Sequence, residues 1–385
     1  MIGALLAHID GRPGSATAKQ AAATPTRAVG ECRAYHSCRR RIGACDLNAR
    51  LRACDLEEWY STIEGHTFQT VLVPLSPTDA RAIVAEYKRR RGAGPDAVSS
   101  SELDDLRGRI ATAMQELSSG GRGVFAKLSS RSPKDSTVCE ARALARVQET
   151  LSSMRAAGSA LDTNTIFAVT TSCGIQALRC ETAFDVLETF LTSERVCEDD
   201  LPLALSFPSS WSQHIAVRAW VHVPVHCEVR GFVMNGQLTA LSQYFAGVYF
   251  PQLVAAKDRV LKMVQRSFTQ LMLELLHDGK LADFVIDFAV DLVSDKVYVI
   301  ELNAFGKPDG MGTGTLLFDK SKASDLAVLF GEEPFEFRVV TAPPETDIRR
   351  LLRDGPLKEW LREQGILSGA DGVSRRSPEG VLAIL

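Results

Sequence analysis

The stretch DFVIDFAVDLVSDKVYVIELNAFG, residues 283–306, constrains the fold more than any other part of the chain. Two runs with the apolar background of buried strands flank VSDK, yet they carry Asp287, Asp291, Glu301 and Asn303. Side chains alternate across a strand with period two, so Val285, Asp287 and Ala289 share one face. In the second run Val297, Val299, Glu301 and Asn303 share one face by the same count. An odd-numbered loop centred on Ser294 or Asp295 brings Asp287 opposite Glu301 or Asn303; an even two-residue loop does not. Directly opposed side chains have Cβ atoms about 4.5–5.5 Å apart. Two carboxylates that close repel by roughly 3 kcal/mol at an effective dielectric of about 20. A shared proton, a basic partner or a divalent cation offsets that. The neutral oxygen donor Asn303 favours a hard cation such as Mg²⁺, which keeps waters and bridges to substrate phosphates. Alternation equally permits Asp287 and Glu301 on a solvated face, with Phe284, Ile286, Phe288, Tyr298, Ile300 and Leu302 as core.

The rest of the chain gives this hairpin a mixed setting. Its 385 residues are 45% hydrophobic and 24% charged, enough for a sizeable core and two lobes. A net charge of −3 offers no general drive toward nucleic acid or an anionic membrane. No apolar run has the roughly 18 residues of a membrane span. Nine scattered cysteines, odd in number and without a Cys-x-x-Cys pair, read as reduced thiols of a cytoplasmic protein. Cys32, Cys38, Cys45 and Cys54 are spaced too widely for the usual structural-zinc pattern. Residues 1–50 read as a disordered extension, with weaker likeness to a targeting leader.

FQTVLVPL reads as a strand ended by Pro74 and Pro77, and YKRRRGAGPDAVSSS as a loop. Ser101 is the expected cap of a helix carrying Leu103, Leu106, Ile110, Met114 and Leu117. GVFAKL is a short strand entering the polar turn SSRSPKDS, and helices are expected near 140–157 and 181–193. The second of these puts Phe184, Leu187, Phe190 and Leu191 on one face. IAVRAW is strand-like, and CEVRGFVMNGQLTALSQ is a hairpin about Asn235-Gly236. A two-residue turn there pairs Glu228 with Gln243 and Arg230 with Leu241, so Glu228 and Arg230 share a face. Val260, Leu261, Val264, Phe268, Leu271 and Leu275 mark an amphipathic helix. The fold class is α+β with antiparallel sheets.

Phosphate-bridging Mg²⁺ asks for cations. Lys127 ends an apolar run at a strand terminus, where an ammonium can act as a point charge on phosphate. Arg131, Lys134 and Asp135 occupy the following turn, and Arg218 is a second strand cation. DGMGTGT lacks the spacing of a P-loop. No Gly-x-Ser-x-Gly elbow or His-Glu-x-x-His motif occurs, and His222 and His226 read as structural.

Taken in order, CDLEEWYSTIEGHTFQTVLVPL, GGRGVFAKLSSRSPKDS, IAVRAW, CEVRGFVMNGQLTALSQ, FVIDFAVD and VIELNAFG resemble the cell division cycle protein 123 family over roughly Cys54 to Phe337. The resemblance implies an ATP-grasp-like fold, with nucleotide between a first lobe at 51–215 and a second at 216–341, and a polar tail at 342–385. It implies Lys127, Lys134, Asp135, Arg218, Trp220, Glu228 and Arg230 around ATP, and Asp287, Glu301 and Asn303 on Mg²⁺. It also implies assembly of eukaryotic translation initiation factor 2 through its gamma subunit, by a monomer with no membrane or direct nucleic-acid partner.

The chain departs from that family in four places. Glu301 stands where Asp is usual. Tyr244 and Phe245 stand where an Arg-Asp pair is frequent. Ala304 and Lys307 replace Pro and Glu of the last motif, and an acidic insertion is reduced. Two other expectations compete with assembly: an ATP-grasp ligase or nucleotidyl transferase that activates a carboxylate or RNA end, and a scaffold without nucleotide.

Overall fold

A computed structural model describes residues 51–93, 100–117, 123–275, 281–306, 314–343 and 355–367. The expected leader with Cys32, Cys38 and Cys45, most of the Gly-rich run 309–315, Lys307 and most of the tail lie outside the described residues.

The first half builds a three-stranded sheet under helices. After the short helix α1 (Leu56–Trp59) come β1 (Thr70–Pro74), α2 (Pro77–Arg90), α3 (Ser100–Leu117) and β2 (Val124–Leu128). Helices α4 (Thr137–Ala156), α5 (Thr163–Gln176), α6 (Ala183–Leu191) and α7 (Leu201–Leu205) follow, then β3 (His214–Ala219). The strand order is β1-β3-β2, antiparallel throughout. The expected lobe boundary at 215/216 thus falls on the central strand of this sheet.

Several local expectations change. The basic run at 88–90 is the last turn of α2, not a loop. Ser76 starts that helix with a capping box: the Asp79 N–H donates to Ser76 Oγ at 3.1 Å, and the Ser76 N–H donates to Asp79 Oδ2 at 2.8 Å. Helix α3 already includes Ser100, so Ser101 lies in its first turn and donates to Glu102 instead of capping. Phe184 of α6 is 57% exposed, off the buried face of Leu187, Phe190 and Leu191.

The second half builds a five-stranded sheet from β4 (Glu228–Met234), β5 (Gln237–Gln243), β6 (Phe284–Asp291), β7 (Lys296–Ala304) and β8 (Glu336–Arg338). Its order is β7-β6-β4-β5-β8, antiparallel except for β8 beside β5. The 25-residue helix α8 (Pro251–Leu275) covers one face, with Val260, Val264, Phe268, Leu271 and Leu275 buried. Helices α9 (Ala323–Leu329) and α10 (Pro356–Glu363) complete the described elements.

Three cores result among the described residues. One lies under α2, α3 and α6, and its buried members among the described residues run from Val73 to Val217. The largest runs from Cys54, Leu56, Trp59 and Ile63 through α4, α5 and the large sheet to Leu357, Leu361 and Leu367. A third gathers Phe232, Val285, Phe305, Phe318 and Leu329 between the large sheet and α9. Cys139, Cys173, Cys180, Cys197 and Cys227 are buried thiols without disulfide partners among the described residues. Among the described residues no helix is long and apolar enough to cross a membrane.

Candidate functional site

Both hairpins of the large sheet carry a β-bulge, and the bulges decide which polar groups meet. Asn235 and Gly236 have φ of 52° and 72°, as a tight two-residue hairpin turn demands. The register shifts between Phe232 and Val233, leaving Thr239 as the extra residue. Arg230 therefore faces Ser242 and Val229 faces Gln243, correcting the expected Arg230–Leu241 and Glu228–Gln243 pairs. Thr239 Oγ1 spends its bulge position donating to the Leu329 carbonyl at 2.6 Å.

In the β6–β7 hairpin, Asp291 pairs with Lys296 across a four-residue loop. An even loop alone would put Asp287 opposite Ile300. A bulge at Ile300 restores Asp287 opposite Glu301 and Val285 opposite Asn303. It also reverses parity: Val297 and Val299 enter the main core, then Leu302 and Ala304 do. Glu301 and Asn303 consequently lie on the face opposite Val297 and Val299, not the same one. Asp291 takes no part; its carboxylate accepts from the Val293 and Ser294 backbone N–H groups in the loop.

On the resulting face, Arg230 Nε and Nη2 donate to Asp287 Oδ1 and Oδ2 at 2.7 and 2.8 Å. Arg230 Nη1 reaches the Gly314 carbonyl at 3.0 Å. From the other sheet, Lys127 Nζ donates to Glu301 Oε2 at 3.1 Å, and Asn303 Nδ2 lies 3.4 Å from Glu301 Oε1. Basic partners thus offset the repulsion between the two carboxylates. Tyr244, 5% exposed, lies under both Arg230 and Lys134, with 5.1 and 5.5 Å from guanidinium carbon and ammonium nitrogen to its ring centroid.

The charges follow from this packing. Burial pushes the Asp287 carboxyl up against the pull of Arg230, with Glu301 adding to the push. Burial acts on Glu301 in the same sense, but Lys127, Lys134 and Arg230 outweigh it and hold it well below the usual carboxylate range. Burial also pushes Glu228 up to about 7, opposed by Lys134. Burial works against the Lys134 charge, yet Tyr244, Glu301, Glu228 and Asp287 push it up to about 12.

Seven of the expected residues therefore converge: Lys127, Lys134, Glu228, Arg230, Asp287, Glu301 and Asn303. Three take other positions. Asp135 accepts from Ser193 Oγ at 2.6 Å and the Arg195 N–H at 2.8 Å, tying the Lys134 turn to the segment after α6. Trp220 packs edge-on against Phe125 at 6.1 Å. Arg218 is fully buried between the sheets, with its three donating nitrogens on Thr70 Oγ1, Thr67 Oγ1 and the Ile300 carbonyl. Burial pulls it down to about 10.

Sequence reasoning missed Tyr244 as a floor to the site, although it stands directly after the strand carrying Ser242 and Gln243. It also missed Asp55. Burial, with Glu57, pushes that carboxyl up to about 7 against the pull of Lys127 and Arg52. Among the described residues no three His, Cys, Asp or Glu side chains form a metal-binding group. Asp287, Glu301 and Asn303 offer two carboxylates and one amide, an all-oxygen donor set that suits a hard cation held by few protein ligands.

Two antiparallel-rich sheets facing each other across a lysine–carboxylate contact define an α+β chain with a buried polar cluster between them. A family model described as D123 matches residues 173–351. The cell division cycle protein 123 of Yarrowia lipolytica is 26% identical over 129 residues, 33% of this chain and 34% of that protein. That match spans only about a third of its relative. The translation initiation factor eIF2 assembly protein of Xenopus tropicalis is 22% identical over 298 residues, 69% of this chain and 75% of that one. The structure of Cdc123 from Schizosaccharomyces pombe superposes with a TM-score of 0.50 at 20% identity. It covers 75% of this chain and 96% of that chain, and shows a shared fold. Residues 173–351 thus match the D123 family, and the chain is similar to the cell division cycle protein 123 proteins.

Proposed function

We propose that the chain binds Mg²⁺–ATP between its two sheets, in an ATP-grasp-like manner, and assists assembly of eukaryotic translation initiation factor 2. The observation that carries the nucleotide reading is the meeting of Lys127 with Glu301 at 3.1 Å, beside the Asp287–Arg230 pair. Lys127 and Lys134 are the groups that would meet phosphate oxygens. Asp287, Glu301 and Asn303 would hold Mg²⁺, which neutralises charge on the triphosphate when bound. Arg230 orients Asp287, and Tyr244 closes the floor beneath Arg230 and Lys134. The assembly role follows from the name of the Xenopus relative, and the gamma subunit is the partner proposed.

Calorimetry of ATP binding with and without Mg²⁺, on the wild type and on folded Asp287→Asn, tests the nucleotide reading. Mg²⁺-dependent binding that disappears in Asp287→Asn supports it. Identical binding in both proteins removes the metal assignment. Capture of purified gamma subunit by the immobilised full chain tests the partner, and failure with ATP and Mg²⁺ present refutes it.

A further inference from the structure

The residue expected to line the nucleotide pocket from β3 has its donors committed elsewhere. Arg218 shares a row with Thr70 on β1 and Phe125 on β2, so its side chain leaves the small sheet toward the large one. Its guanidinium lies 5.0 Å from the Phe68 ring centroid and 5.3 Å from that of Phe125. Nε reaches Thr70 Oγ1 at 3.2 Å, and Nη2 reaches Thr67 Oγ1 at 2.6 Å. Thr67 in turn donates to the Val299 carbonyl at 2.6 Å. Nη1 donates to the carbonyl of Ile300, also at 2.6 Å. Ile300 is the extra residue of the β6–β7 bulge.

A bulge leaves its extra residue outside the ladder, and a buried carbonyl without a partner is costly. The apolar pattern requires one extra residue somewhere between Val299 and Leu302, because the core face changes parity there. Pattern alone does not say which residue it is. Only a bulge at Ile300 sets Glu301 opposite Asp287 and within reach of Lys127.

We infer that Arg218 is a positioning residue: it pins the bulge at Ile300 and so aims Glu301 at Asp287 and Lys127, without touching a ligand itself. This rests on the metal face proposed above only for its functional readout; the bulge anchor stands on the backbone contact. Deleting Ile300 gives a sharp test. The shortened strand forms a regular ladder in which Val299 still faces Phe288, Glu301 still faces Asp287 and Leu302 still faces Ile286. Arg218 then has no bulge to fix.

The experiment compares four forms of the full chain: wild type, Arg218→Met, the Ile300 deletion, and the two combined. ATP affinity is read with Mg²⁺ and with chelator, and amide exchange is read at residues 300–302. Arg218→Met is expected to lower the Mg²⁺-dependent gain in affinity at least tenfold, leave Mg²⁺-free affinity within about threefold, and speed exchange at 300–302 at least tenfold. The deletion is expected to keep the Mg²⁺-dependent gain, and adding Arg218→Met to it should change that gain less than twofold. An equal tenfold loss in the deletion background would show direct ligand contact and overturn the inference. Unchanged exchange in Arg218→Met overturns it as well. Where Arg218→Met does not fold, Arg218→Lys, which keeps one donor for Ile300, must hold exchange within threefold of wild type or the inference fails. A wild type without Mg²⁺-dependent binding removes the metal reading, and exchange at 300–302 then decides the role of Arg218 by itself.

Discussion

Replacing Asp287 by Asn should destabilise the protein by about 3 kcal/mol, through the cation it strands. Asp287 is 1% exposed and Arg230 7%, and two charge-assisted hydrogen bonds of 2.7 and 2.8 Å join them. Unit charges about 4 Å apart attract by roughly 4 kcal/mol at an effective dielectric near 20. Breaking a buried pair by removing one member costs about 3–5 kcal/mol, because the other charge stays desolvated. Asn retains one acceptor, the Gly314 carbonyl still holds Nη1, and Tyr244 lies beneath the guanidinium, so the lower end applies. Urea unfolding followed by circular dichroism measures the change. The double variant Arg230→Met, Asp287→Leu removes both charges and should recover at least about 2 kcal/mol of the loss, since apolar replacement of a whole buried pair is often neutral. A loss below about 1 kcal/mol for Asp287→Asn, or strict additivity in the double variant, would refute the claim that Arg230 depends on this carboxylate.

Other outcomes follow from single groups. Lys127→Met should weaken Mg²⁺–ATP binding at least tenfold by calorimetry and let the Glu301 carboxyl rise toward its ordinary range, visible by carboxyl NMR. Asp55 holds its proton up to about pH 7 when folded but releases it near 4 when unfolded, so the folded state binds more protons between those values. Stability from this group therefore falls as pH rises from 4 to 7 and stays lower above. Asp55→Asn, which gives up no cap hydrogen bond, should raise stability at pH 8 by about 1–2 kcal/mol after allowance for partial exposure, and by nothing at pH 4. Ser76→Ala should cost about 1 kcal/mol in urea unfolding through loss of the α2 capping box.

How much of this was legible depended on whether the signal was local. Asn235-Gly236 announced its hairpin because few residues tolerate two successive positive φ angles. The periodicity of α8 announced its buried face. The α2 helix was equally legible in Ser76-Pro77-Thr78-Asp79, a cap followed by proline in the first turn, and was passed over because the basic run beyond it read as a loop. Helix α5 gave little warning: TNTIFAVTTSCGIQ is rich in β-branched residues and has no clear apolar stripe. Both bulges escaped period-two counting. The parity change was nonetheless written in the sequence, as Val297 and Val299 followed by Leu302 and Ala304, once a buried face was demanded on both sides of Ile300. The residues of the polar cluster were legible as types, lysines at a strand end and oxygens in core strands. Their pairing was not, since Lys127 meets Glu301 across 174 positions of chain. The family name of the relatives supports the assembly role, which no contact within this chain spells out.

The division of the apolar groups into separate cores has a consequence for how the chain emerges from the ribosome. The described members of the core under α2, α3 and α6 have all been synthesised once Val217 is out, so they can pack early. The larger core joins Leu56 and Trp59 to Leu357, Leu361 and Leu367, residues some 300 positions later. During synthesis at about 5–20 residues per second, its first contributors wait tens of seconds for their last neighbours, the interval in which exposed apolar surface invites chaperones or misassembly. Helix α10 is the last described contributor to that core, and a chain that stops before Pro356 would leave the face of α4 it packs against short of cover.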